Sequence, residues 1–141
     1  MFGWDYIDNR AIPGPCSTID EYIDYLDSLD RNYFVACLDI GHAEMDKISQ
    51  GSASEMIPAL GSRLKALHIH DNDKIDDLHT LPFTKNILWD DVMKALKSIN
   101  YDGEFTFEAD NIFMAFPDEL LMSVSKLMLD VGRYFIKKYE L

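Results

Sequence analysis

The chain has 141 residues, 48% of them hydrophobic, which suits one globular domain with a real core and excludes a disordered chain. Its 25 acidic residues against 13 Lys and Arg give a net charge of -12 and a pI near 4.5, a surface that repels nucleic acid and anionic membranes unless a local basic patch intervenes, and the sequence shows none beyond the pair Lys137-Lys138. No apolar run approaches a membrane span, no leader-like segment opens the chain, and Cys16 and Cys37 make no metal or redox spacing, so a soluble cytoplasmic protein with reduced thiols is expected.

The first fifteen residues are aromatic and irregular, with Trp4, Tyr6 and the turn Pro13-Gly14-Pro15. Met1-Phe2-Gly3-Trp4 reads as a loop leaving the end of a strand that this chain does not carry. Ser17 or Thr18 then opens a helix, with Thr18 and Glu21 spaced as a capping box. Ile19, Tyr22, Ile23, Leu26 and Leu29 recur at helical spacing, and Asp20, Asp24, Asp27 and Asp30 take the wet side. A strand is expected over about 33–39, where Tyr33, Val35, Cys37 and Asp39 share one face and Phe34, Ala36 and Leu38 the other. It empties into Asp39-Ile40-Gly41-His42. A short helical piece near 43–48 follows, then a helix from about Ser54 to Leu60 that Gly61 terminates.

The next expected strand, about 64–70, organises the chain. Side chains alternate faces along a strand, so His68 and His70 point one way and Leu67 and Ile69 the other. One face is imidazole and the other aliphatic, as a strand needs when helices cover one side and a site faces the other. The strand runs into a loop carrying Asp71, Asp77 and His79, and imidazole with carboxylate is a common ligand set for divalent metals. Trp89 to Ile99 reads as an amphipathic helix buried through Val92, Met93, Leu96 and Ile99, and Asn100-Tyr101-Asp102-Gly103 as a turn. A third strand is expected over about 104–109, with Glu104, Thr106 and Glu108 opposite Phe105 and Phe107. Pro117-Asp118-Glu119 opens a last helix reaching about Tyr139, its stripe running through Leu120, Leu121, Val124, Leu127, Met128, Val131 and Phe135.

Strands spaced by helices imply parallel pairing with right-handed crossovers, hence an α/β fold. Each strand ends in a metal-capable residue: Asp39, His70, Glu108. In parallel α/β folds the site is built at the C-terminal strand ends. A carboxylate at a strand end also caps helices, and that plainer role for Asp39 stands beside the metal reading.

These residues resemble a known family. Asp39-Ile40-Gly41-His42, Leu64 to Asn72, Asp77-Leu78-His79, Leu96 to Gly103 and Phe107-Glu108 are similar to the sugar phosphate isomerase/epimerase group, with its xylose isomerase-like (β/α)8 TIM barrel shared by endonuclease IV. The resemblance covers nearly the whole chain but only the C-terminal half of that barrel, so a single half-barrel domain over 1–141 is expected. It implies a divalent metal (Mn, Mg, Co or Zn) and a sugar or sugar phosphate as substrate. It implies Asp39, His70 or His68, and Glu108 as metal ligands, with Asp77 and His79 resembling the Asp-x-His that holds an additional zinc in the endonuclease branch. It implies His42 and Glu108 in catalysis, and His42, Trp4 and Asp71 near the substrate. Two departures stand out. The family's strand-five glutamate is missing, and Pro82-Phe83-Thr84-Lys85-Asn86 replaces a glycine-rich turn. The expected function is sugar isomerisation or epimerisation by a proton shift next to a metal-polarised carbonyl. The alternatives are a non-catalytic half-barrel and an abasic-site endonuclease. Open sheet edges imply pairing with a second copy or with a missing N-terminal half.

Overall fold

The computed structural model describes residues 15–46, 49 and 51–141, and the backbone of 5–7 and 10–12. Two short strands, β1 (Asp5–Ile7) and β2 (Arg10–Ile12), pair antiparallel, Tyr6 opposite Ala11. The sequence reading left this stretch irregular. The pairs Tyr6-Ile7 and Ala11-Ile12 on either side of Asp8-Asn9 are the signal that could have marked it.

Helix α1 (Ile19–Asp27) starts where expected, with the Thr18 hydroxyl accepting from Glu21 N at 3.1 Å. The box is not reciprocal: Glu21 accepts instead from Cys16 N, at 2.9 Å. Strand β3 is Ala36–Asp39 rather than 33–39. Asp30 O accepts from both Tyr33 N and Phe34 N, so the chain is still turning there, and Tyr33, Phe34 and Val35 are exposed. Asp39 caps α2 (Ile40–Ala43) directly, so this helical turn begins before the expected 43–48; residues 47 and 48 lie outside the described residues.

Helix α3 (Ala53–Leu60) ends at Gly61, whose positive φ of 53° glycine adopts without a Cβ clash. Strand β4 (Leu64–Ile69) stops one residue before His70. Helix α4 (Trp89–Ser98) follows, then β5 (Glu104–Phe107). Glu108 N still donates to Ile69 O at 3.0 Å, so the ladder carries Glu108 to the rim although the strand is shorter than 104–109. At Gly103 a Cβ would lie 2.2 Å from Lys65 O, so only glycine lets the turn bring β5 in beside β4. The last helix opens as a 3-10 turn, Asp118–Leu120, and continues as α5 (Leu121–Tyr139). Val124 and Phe135 are buried as expected, whereas Leu120 and Leu127 are exposed.

The three strands β3, β4 and β5 are parallel in that order, Asp39 opposite His68 and His68 opposite Thr106. Leu38, Leu67 and Ile69 are completely buried on the helix side with Ile57, Met93 and Phe135. That buried aliphatic face drives the packing, at roughly 25 cal/mol per Å² removed from water. The other face carries Cys37, Asp39, His68, Thr106 and Glu108. This is the (β/α) barrel pattern over three strands, with the polar ends gathered at one rim. No helix among the described residues is long and apolar enough to cross a membrane.

Candidate functional site

Asp39 is the centre of the rim. Its Oδ1 accepts from His42 N at 2.9 Å, which is the helix-capping bond, and lies 3.0 Å from His70 Nε2. Its Oδ2 is 2.8 Å from His42 Nδ1 and 3.9 Å from His68 Nδ1. Oδ1 thus both caps α2 and meets the His70 ring, while Oδ2 faces His42 and His68. His68 Nδ1 is in turn 3.0 Å from Glu108 Oε2. Ligand atoms of Asp39, His70 and Glu108 lie within 4.8 Å of one another.

A second group shares His70. Ligand atoms of His42, His70, Asp77 and His79 also lie within 4.8 Å of one another. His42 Nε2 is 3.1 Å from Asp77 Oδ2, and His79 Nε2 is 3.0 Å from Asp77 Oδ1. His79 Nδ1 lies 2.8 Å from Glu108 O, and a carbonyl only accepts, so Nδ1 carries the proton. The nitrogen left facing Asp77 is then stabilised by a second proton or by a cation. His42 has the same problem, since both of its ring nitrogens face carboxylates. Imidazoles held between acidic oxygens in this way are a donor set suited to a divalent ion.

Asp71 departs from the expected arrangement. It is completely buried, and its carboxylate accepts from Asn72 N, Ile87 N, Lys85 N and Trp89 Nε1, all at 2.9 to 3.1 Å. Its backbone forms an antiparallel bridge with Thr80, which returns the loop so that Asp77 and His79 fold over the rim. Asp71 thus holds the loop through its carboxylate. Trp4, the other residue expected near substrate, lies outside the described residues. The sequence reading gave Gly41 no role of its own. A Cβ there would lie 2.0 Å from His70 Cε1, and the only local signal is a glycine set between the capping Asp39 and His42.

Burial by itself would lower the His42 pKa, but Asp39 and then Asp77 outweigh it and push the group up to about 9 from an ordinary 6.5. Burial would raise Asp39, yet the bonds to His42 and His70 hold its carboxyl well below the usual carboxylate range. The raised imidazole stabilises the ion-free fold fully below pH 6.5, and that contribution disappears as pH rises through about 9. The depressed carboxyl contributes above its ordinary 3.8 and is lost as pH falls below it. Urea unfolding in chelator is therefore expected to show an alkaline limb of up to about 1.4 kcal/mol per pH unit. His42→Asn is expected to flatten it, and an unchanged limb in that variant would assign the effect elsewhere.

Residues 7–123 match the profile of the xylose isomerase-like TIM barrel family. The chain belongs to this family. An uncharacterized protein of Sinorhizobium fredii is 42% identical over 72 residues, covering 51% of this chain and 22% of that protein. The D-psicose 3-epimerase of Enterocloster bolteae is 26% identical over 92 residues, covering 65% of this chain and 28% of the enzyme. Among solved structures, a D-tagatose 3-epimerase-like protein superposes with a TM-score of 0.58 at 25% identity, over 87% of this chain and 45% of that one. The chain is thus homologous to sugar epimerases while spanning less than half the length of these relatives. Its three parallel strands and their helices match part of the barrel, as the sequence led one to expect.

Proposed function

We propose that residues 1–141 form one half-barrel domain of a divalent-cation-dependent sugar epimerase or isomerase, in the cytoplasm, where its two free thiols stay reduced. The observation that carries the reading is the delivery of Asp39, the His68/His70 pair and Glu108 to one rim by three successive parallel strands. Asp39, Glu108 and an imidazole of the pair would hold the ion, and Asp77 with His79 could hold another. When bound, such an ion supplies Lewis acidity toward the adjacent oxygens of a ketose or its phosphate. Glu108 serves as the acid/base that moves the proton on the carbon beside the carbonyl. His42, anchored to Asp39, hydrogen-bonds a substrate oxygen and fixes its orientation. Epimerisation needs a second base on the opposite face of that carbon. The family resemblance gives this role to a strand-five glutamate, so the 141-residue chain by itself is expected to turn over little sugar.

Calorimetric titration with Mn²⁺ or Zn²⁺ tests the cation site. Glu108→Gln is expected to weaken binding at least about tenfold, as loss of a ligand should. An affinity untouched by that change would remove Glu108 from the site. Tight binding without turnover, even with the complementary half supplied, would favour a non-catalytic half-barrel. The endonuclease alternative is disfavoured by the net charge of -12, and nicking of abasic DNA at low salt would reverse that preference.

The sheet leaves β3 and β5 as edges among the described residues, and apolar Phe105, Met128, Leu129 and Ile136 line a groove beside β5. A closed barrel of this family has eight strands, so a partner carrying the other βα units fills the gap better than a second copy of a three-stranded sheet. A sharply melting monomer at micromolar concentration in light scattering would count against any such pairing.

A further inference from the structure

We infer that Asn72 is a positioning residue for the cation site, its amide latching the connection after β3 onto the His70 ring. The inference rests on the cation reading above, in which Asp39, His70 and Glu108 bring donor atoms within 4.8 Å of one another. Asp39 and His70 arrive at the ends of different strands, so their spacing depends on what ties the two following connections together. Asn72 makes such a tie. It is completely buried, and both ends of its amide are engaged by backbone. Nδ2 donates to Gly41 O at 2.8 Å, and Oδ1 accepts from Lys74 N at 2.9 Å. A carbonyl only accepts and an amide N–H only donates, so these partners fix which end of the side chain is which.

Gly41 passes the constraint to the ring. A Cβ there would lie 2.0 Å from His70 Cε1 and 2.3 Å from both Nδ1 and Nε2. Such near-equal distances put the glycine Cα–H over the plane of the imidazole, not beside its edge. His79 stacks on the same ring, with centroids 3.9 Å apart and planes 5° from parallel. His70 has no accessible surface, so these neighbours set the plane in which Nε2 meets Asp39 Oδ1 at 3.0 Å. Gly41 O also accepts from Glu44 N at 3.2 Å, but that bond lies within the α2 turn and cannot join the two connections. Two other bonds do join them: Asp46 N donates to Lys74 O at 3.1 Å, and Lys74 Nζ lies 3.0 Å from Glu44 Oε2. These hold residues 44 and 46, past the α2 turn, whereas Asn72 holds the residue in contact with the ring. Groups that orient a ligand from behind commonly matter tenfold or more, roughly, in metal affinity.

Two readouts on the 141-residue chain test the latch, and one needs no metal. In chelator, the His70 ring shifts the Gly41 Hα protons upfield in NMR. Asn72→Asp keeps the volume and the acceptor for Lys74 N but loses the donor, and is expected to move these signals back toward ordinary glycine values. In Co²⁺ titrations read by visible absorption, Asn72→Asp is expected to bind about tenfold more weakly and with an altered spectrum. Its added negative charge alone would tighten a cation, so the two effects differ in sign. Asn72→Ala, which adds no charge, is expected to weaken Co²⁺ by a similar factor. Lys74→Gln removes the Glu44 pair and keeps the latch, so it is expected to leave Co²⁺ affinity and the Gly41 signals unchanged. Gly41 signals unmoved in Asn72→Asp, or Co²⁺ affinity unchanged in both Asn72 variants, would overturn the positioning role while the cation reading stands. Lys74→Gln reproducing the Asn72 effects would assign them to the loop at large, and would overturn it as well. Wild-type protein that binds no Co²⁺ would defeat the cation reading itself, and the positioning role with it.

Discussion

Asp39→Ala is expected to cost about 3–5 kcal/mol of folding stability at neutral pH and to abolish cation binding. Asp39 is almost fully buried, and it answers His42 through its backbone N and Nδ1, and His70 through Nε2. Without the carboxylate, buried imidazole nitrogens and an N-terminal helix amide lose their acceptor together, and each orphaned polar group costs about 1–3 kcal/mol. Asp39→Asn separates the contributions. Asn caps helices as well as Asp, so it should recover about 1 kcal/mol while still losing the ion. It should also let the His42 pKa fall back from about 9 toward 6.5. Urea unfolding with and without Zn²⁺, together with histidine NMR titrations, reads all of this. An Ala variant within about 0.5 kcal/mol of wild type would show that the imidazoles do not depend on Asp39.

Asp71→Ala should be nearly as damaging, for a reason unconnected with chemistry on a sugar. Its carboxylate is the acceptor for Ile87 N, Lys85 N and the indole Nε1 of Trp89, which is itself buried at the start of α4. The alanine methyl offers no acceptor, so these buried donors are left unpaired, at a cost of about 3 kcal/mol. Trp89 reports the change directly, because loss of its acceptor alters its emission. The loop carrying Asp77 and His79 is pinned through the Asp71–Thr80 bridge, so cation affinity should fall with it. If Asp71→Ala kept wild-type stability and Trp89 emission but changed only the response to sugar, the substrate-facing role expected from sequence would be restored.

The sequence is strongest where local period decides. Strand parity alone places His68 and His70 together and Leu67 with Ile69 on the other face. The buried Leu67 and Ile69 and the imidazoles turned to Asp39 follow that parity. The 3.6-residue stripe of α4, Val92, Met93 and Leu96, is buried as read. Boundaries are weaker. Tyr33 to Val35 carry every mark of a strand, yet the turn about Asp30 holds them off the sheet. Leu120 and Leu127 fit the stripe of α5, but no neighbour among the described residues covers them fully.

Within the site, the residue types were legible and their division of labour was not. Asp71 looks like one more rim carboxylate when only its spacing is read. It becomes a loop anchor because donors 14 to 18 residues further along fold back onto it. His68 and His70 are equivalent by parity, and what separates them is Gly41, on a different strand connection, pressed against one ring and not the other. By itself the sequence determined the alternating order of strands and helices, the family, and the residues delivered to the rim, because periodicity, capping and strand-end placement are properties of neighbouring residues. Only the tertiary structure decided which of those residues are enclosed and which stay open. Enclosure depends on segments distant in the chain competing for the same buried hydrogen bonds, and no local pattern records the outcome.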